Sequence, residues 1–144
     1  MSDYDTDFYA WTQGQAAAIR AKDMAALDIE HLAEEVEDLG RSVRRGIKSQ
    51  LERLLLHLLK WGYDPSPEPR RLWRATIRQA RHEIATDLAD NRSLREYPVR
   101  ALADTYQYAR KQAALETELP LATFPEACPW SVAQVLDEDF LPEA

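Results

Sequence analysis

Three carboxylates are the residues best placed to do chemistry, because Glu34, Glu37 and Asp38 stand at i, i+3 and i+4. On a helix this spacing places all three on one face. Such a face binds Mg²⁺ when a second helix brings further oxygens, and the metal can then activate water for hydrolysis of a phosphorylated small molecule. The chain offers Asp87 and Asp90 as the comparable second pair.

The same carboxylates have a simpler explanation in the arginines that follow them. Arg41 stands three and four positions after Asp38 and Glu37, the spacing at which opposite charges pair along a helix. Surface charges of this kind are usually solvated and paired with one another. The pattern therefore favours an ion-paired face with no cofactor, and leaves Mg²⁺ as the alternative.

Histidines provide a second group of candidates. Asp28-x-x-His31 is similar to the Glu-x-x-His of di-iron bundles, but that site requires two such motifs and two more inward glutamates. His57 lies among leucines, which is typical of a histidine at the edge of a core that donates one ring hydrogen bond.

A third cluster consists of Lys60, Trp61 and Trp73, on either side of a proline-rich connection at 64–69. Aromatic faces beside cations could bind an anionic or planar ligand, or could hold the connection in place by a cation–π contact. We favour the structural role.

A row of apolar residues at helical spacing predicts the helix that carries most of these candidates. Apolar side chains recur every three or four positions from Ile29 to Trp61, which predicts one long helix over about 28–61 with the whole stripe facing inward. Asp28 suits the N-cap. Gly40 and Gly46 in the helix interior mark either the close approach of a neighbour or a bend.

Helical periodicity continues along the rest of the chain, and no run with a period of two appears. A first helix should begin after Asp5 or Thr6, and a capping box from Ser131 to Gln134 predicts a short last helix to about Glu138. We therefore predict an all-α fold, a bundle of four main helices with one very long and a short C-terminal helix, in a single domain over residues 1–144.

Composition narrows the class of partner. The chain has 144 residues and a formal net charge of -7, which disfavours nucleic acid and anionic membranes as partners. One cysteine excludes an internal disulfide, and neither a signal peptide at the acidic start nor a membrane-spanning apolar run is evident. We expect a soluble cytoplasmic protein.

Several motifs follow one another in order over nearly the whole chain. They are Tyr4-Asp5-Thr6-Asp7-Phe8-Tyr9-Ala10-Trp11, Leu32-Ala33-Glu34-Glu35-Val36-Glu37-Asp38-Leu39-Gly40-Arg41-Ser42, Leu56-His57-Leu58-Leu59-Lys60-Trp61, Trp73-Arg74-Ala75-Thr76-Ile77, Thr123-Phe124-Pro125-Glu126-Ala127-Cys128-Pro129-Trp130 and Phe140-Leu141-Pro142. With these motifs the chain resembles a known bacterial family, domain of unknown function 29. The resemblance implies an all-α fold and a bacterial origin, and it brings no activity, cofactor or catalytic residue.

Two classes of function follow from these patterns. We expect a non-enzymatic helical interaction module with a protein partner, and the alternative is a metal-dependent hydrolase using the acidic face. A homodimer is possible, because Leu55 and Leu59 form a second apolar flank on the long helix.

Overall fold

A computed structural model describes residues 3–67 and 69–143; Met1, Ser2, Ala144 and Glu68, which belongs to the predicted proline-rich connection, lie outside these ranges. No strand occurs within them. The fold is all-α, with four main helices, one of them long, and a short C-terminal helix, as predicted. The helices are α1 (Asp3–Thr6), α2 (Phe8–Ala21), α3 (Ile29–Tyr63), α4 (Arg70–Asp90), α5 (Tyr97–Thr117) and α6 (Val132–Leu136).

Local side chains set the start of each well-marked helix. Asp7 caps α2, since its carboxylate accepts a hydrogen bond from the Ala10 amide at 3.0 Å. The prediction of Asp5 or Thr6 as the cap was wrong, because both residues belong to α1. The capping box of Ser131 and Gln134 is present at α6. That helix ends at Leu136, two residues earlier than predicted.

Asp28 precedes α3, and its carboxylate accepts a 3.4 Å hydrogen bond from the His31 amide. The helix continues through Gly40, Gly46 and Gly62 to Tyr63. Gly40 and Gly46 therefore do not end it, and the helix runs two residues beyond the predicted end at Trp61.

Residue contacts divide the chain into two compact units, unit 1 over 1–42 and unit 2 over 43–144. Single-domain organisation remains a prediction. Unit 2 contains a large core in which the end of α3 packs with α4 and α5. The fully buried members with the largest side chains are Tyr106, Phe124, Ile47, Leu51, Leu54, Leu55, Leu58, Leu59, Ile77, Ile84 and Val135.

Side chains of α5 hold the segment that follows this helix by donating hydrogen bonds to the backbone carbonyls of the segment. The Tyr106 hydroxyl donates to the Pro125 carbonyl at 2.6 Å, and Arg110 Nε donates to the Phe124 carbonyl at 3.0 Å. Phe124 is buried between these contacts. The tail between α5 and α6 is therefore an ordered loop that packs on α5.

The prediction that the apolar side chains of α3 face inward is correct only in unit 2. In unit 1, Ile29, Val36 and Leu39 are exposed, so the prediction that they face a core was wrong. Leu55 and Leu59, proposed above as a spare apolar flank for dimerisation, are fully buried. Equal spacing gave no way to distinguish the two cases, because burial depends on which neighbours are present.

Candidate interaction surface

A cluster of aromatic rings joins the short N-terminal helices to the start of α3 within unit 1. The Tyr4 ring stacks on His31 with centroids 3.8 Å apart and planes 11° from parallel. Trp11 meets Tyr4 edge-on at 4.8 Å, and Phe8 lies 5.5 Å from Trp11. Trp11 is one of the few buried side chains of unit 1. Such ring pairs stabilise beyond the area they bury.

Asp28 is the polar centre of this cluster. One of its carboxylate oxygens accepts from Trp11 Nε1 at 3.1 Å and lies 2.7 Å from His31 Nδ1. The hydrogen bond with Asp28 raises the pKa of His31, and the same bond lowers the pKa of Asp28. Nearby, the Tyr4 hydroxyl donates to Glu35 at 2.6 Å, which raises the pKa of Tyr4 to about 12.

Sequence reasoning missed this cluster, although a signal was present. Tyr4, Phe8 and Trp11 stand at helical spacing, and Asp28-x-x-His31 was noted only for its likeness to a metal motif. The structure shows that Asp28 and His31 pair with each other.

An NMR titration should find that His31 titrates above its ordinary value of about 6.5. Because the folded-state pKa is raised, the pair stabilises unit 1 fully below that value, and this contribution is lost as the pH rises through the raised pKa. The pKa of Asp28 is shifted in the opposite direction. Its contribution to stability therefore disappears as the pH falls from the ordinary pKa of an aspartate, about 3.9, through the lowered pKa of Asp28. Stability from this pair is therefore greatest between those limits.

The Asp28→Asn variant keeps an N-cap residue but should return His31 towards its ordinary pKa. His57 serves as an internal control, since burial lowers its pKa and the substitution lies outside its unit. An unchanged His31 titration in the variant would contradict the assignment.

The exposed stripe of unit 1 lies on α3 next to this cluster. Ile29, Val36 and Leu39 are 56%, 65% and 70% exposed, and Ala33 and Gly40 lie exposed among them. Isolated apolar side chains are common on protein surfaces, but alignment along one helix face is typical of an interaction site. We call these five residues the apolar stripe.

The three candidate metal ligands are exposed on the same helix. Arg41 pairs with Asp38 and, at 3.6 Å, with Glu37, as the simpler explanation expected. Glu34, which it also expected to be paired, forms no ion pair with another described residue. Within residues 3–67 and 69–143, no group of three or more histidine, cysteine or acidic side chains could hold a metal ion.

The other candidates lie in unit 2, where His57 and Lys60 stand within one turn of each other on α3. His57 Nδ1 lies 2.8 Å from the Arg53 carbonyl, one turn earlier in α3. Lys60 is buried and donates to Glu116 at 2.6 Å, while Trp73 is buried in the core. Trp61 carries the Arg70 guanidinium 4.2 Å above its ring, a cation–π contact across the proline-rich connection.

A cleft of unit 2 was not predicted. It encloses about 710 Å³ between α4 and the C-terminal segment. Arg74, Arg78 and His82 line one side, with Glu138 and Asp139 also in the lining. The mixture of charges selects no single class of ligand.

These helices and surfaces define the class as a small all-α protein. Its described helices include none with the length and apolar run needed to cross a bilayer. The chain belongs to the family described as Domain of unknown function DUF29, whose model matches residues 4–141 and confirms the resemblance seen in the motifs. Comparison with curated proteins and with solved structures finds no match to either.

Proposed function

We propose that this protein is a non-enzymatic helical interaction module and that the apolar stripe on α3 is the surface that contacts its partner. The exposure of Ile29, Val36 and Leu39 along one face is the observation that carries the proposal. Burying apolar surface is favourable by about 25 cal/mol per Å², so a partner that covers the stripe gains free energy.

The hydrolase alternative needs carboxylates that converge around a cation. Glu37 and Asp38 instead hold Arg41, which already neutralises part of their charge. The arrangement of these side chains therefore favours the interaction module over the enzyme.

Site-specific photocrosslinking in the native host tests the proposal. A photoreactive amino acid in place of Val36 or Leu39 should give adducts, because a bound partner lies against both positions. Leu72 and Leu115 in unit 2 are matched controls, since they are equally exposed. Failure to crosslink at positions 36 and 39, or equal crosslinking at all four, would contradict the proposal. An adduct of twice the chain mass would identify a second copy as the partner.

A further inference from the structure

Charge is distributed unevenly between the two units. Residues 1–42 contain ten acidic and three basic residues, a balance of -7 that equals the net charge of the whole chain. Residues 43–144 contain fifteen of each sign and are neutral overall. The apolar stripe therefore belongs to the strongly acidic unit.

A row of glutamates lies beside the apolar stripe on α3. Glu30, Glu34 and Glu37 each follow a stripe residue by one position, at 29, 33 and 36. One residue is about 100° around a helix, so these glutamates form a row along one edge of the stripe. Neither Glu30 nor Glu34 forms a hydrogen bond or ion pair with another described residue, and Glu37 reaches Arg41 only at 3.6 Å.

The opposite edge of the stripe is already occupied within unit 1. Asp28 and His31 are bound to each other and to the aromatic cluster, and Glu35 accepts from Tyr4. The carboxylates left to meet a ligand are thus Glu30 and Glu34, with Glu37 at the end of the row sharing its charge with Arg41.

Small residues leave room over the stripe. A Cβ placed on Gly40 would meet no atom of the described residues within 4 Å, other than its own helix backbone and chain neighbours. Glycine in an exposed helix costs about 1 kcal/mol relative to alanine. A bare backbone at this point allows another helix to approach closely, and the small side chain of Ala33, about two turns earlier, does the same.

We infer that the partner of the stripe is a basic amphipathic helix, whose apolar face covers Val36 and Leu39 and whose lysines or arginines meet the row of Glu30, Glu34 and Glu37. This inference rests on the proposed function and names the partner's chemistry. Helix-on-helix docking of this type uses apolar anchors at i, i+3, i+4 and i+7. Unit 1 of a second copy carries the same negative charge, so the charges oppose pairing of two such units.

Fluorescence anisotropy with the full chain tests the inference. The probe is a labelled peptide of about 18 residues, made of leucine and lysine with one helical apolar face. It should bind at least about tenfold more tightly than a scrambled peptide of the same composition or a leucine–glutamate peptide with the same pattern. Its affinity should fall as salt rises from about 50 to about 300 mM, because screening weakens exposed charge pairs.

Matched variants locate the binding site on the chain. The double variant Val36→Ser with Leu39→Ser should weaken binding of the leucine–lysine peptide about tenfold or more. The triple variant Glu30→Gln with Glu34→Gln and Glu37→Gln should also weaken binding, and it should reduce the salt dependence of the affinity. Leu72→Ser with Leu115→Ser is the control for lost exposed apolar area and should leave binding unchanged. All substituted side chains are exposed, and circular dichroism verifies that each variant is folded.

Equal binding of the leucine–glutamate peptide, or unchanged binding in the stripe variant, would overturn the inference. Crosslinks at positions 36 and 39 without preferential binding of the cationic peptide would contradict the inference that the partner is a basic helix. They would still support the apolar stripe as the interaction surface. An absence of those crosslinks would overturn both.

Discussion

Replacing Leu58 by alanine should lower the free energy of unfolding by about 2–5 kcal/mol. The side chain has no exposed surface and belongs to the core cluster that also contains Ile77 and Tyr106. Removing three carbons there forfeits their transfer free energy and leaves a cavity, because α3, α4 and α5 surround the site and can collapse only in part.

Urea denaturation followed by far-UV circular dichroism measures this change. Leu72→Ala is the matched control, since Leu72 lies on α4 and is 66% exposed. Its expected effect is within about 0.5 kcal/mol. A loss below about 1 kcal/mol for Leu58→Ala would show that this part of α3 does not form the core of unit 2.

The second large effect is expected for Arg81→Leu, at about 2–3 kcal/mol of unfolding free energy. Arg81 is only 4% exposed, and its Nε donates to the Val135 carbonyl at 2.9 Å. Its terminal nitrogens reach the Gln134 and Glu138 carbonyls at 3.5 Å. These oxygens lie at and just beyond the end of α6, where the last carbonyls lack the usual partner within the helix. The Gln134 carbonyl also accepts from the Asp137 amide at 3.2 Å.

A cation suits the negative end of a helix, and Asp137, Glu138 and Asp139 add favourable charge. Burial nevertheless lowers the pKa of Arg81, which shows that its removal from water is costly. Leucine keeps much of the side-chain volume but donates nothing, so the Val135 carbonyl would lose the hydrogen bond from Arg81 in a buried place.

Hydrogen exchange of the α6 amides should rise in Arg81→Leu before the rest of unit 2 unfolds, because the lost contacts hold that helix. The control Arg78→Leu removes an exposed arginine from the same helix, one that makes no hydrogen bond or ion pair with another described residue. Equal stability of the two variants would contradict the role assigned to Arg81.

Local features of the chain predicted the helices well. The capping box at Ser131 and the N-cap at Asp28 gave the starts of α6 and α3 within one residue, since both depend on neighbours along the chain. The cap of α2 was misplaced because α1 occupies both predicted residues, Asp5 and Thr6, and Asp7 caps α2 instead.

The candidate surface was predicted less well than the helices. Arg41 pairs with the acidic run as i, i+3 and i+4 spacing indicated. The stack of Tyr4 on His31 joins residues 27 positions apart in the sequence. The hydrogen bond from Arg81 to Val135 joins residues 54 positions apart. No local pattern encodes such contacts, since many pairings are compatible with the same helices.

By itself, the sequence determined that the chain is helical and where α3 and α6 begin, because a 3.6-residue period and capping side chains act over a few residues. Only the tertiary structure decided which apolar side chains are covered. Val36 and Leu58 have the same place in the periodic stripe, but α4 and α5 bury Leu58 and the short helices of unit 1 leave Val36 exposed. Burial depends on the surroundings that the fold provides, and those surroundings are set by residues far away along the chain.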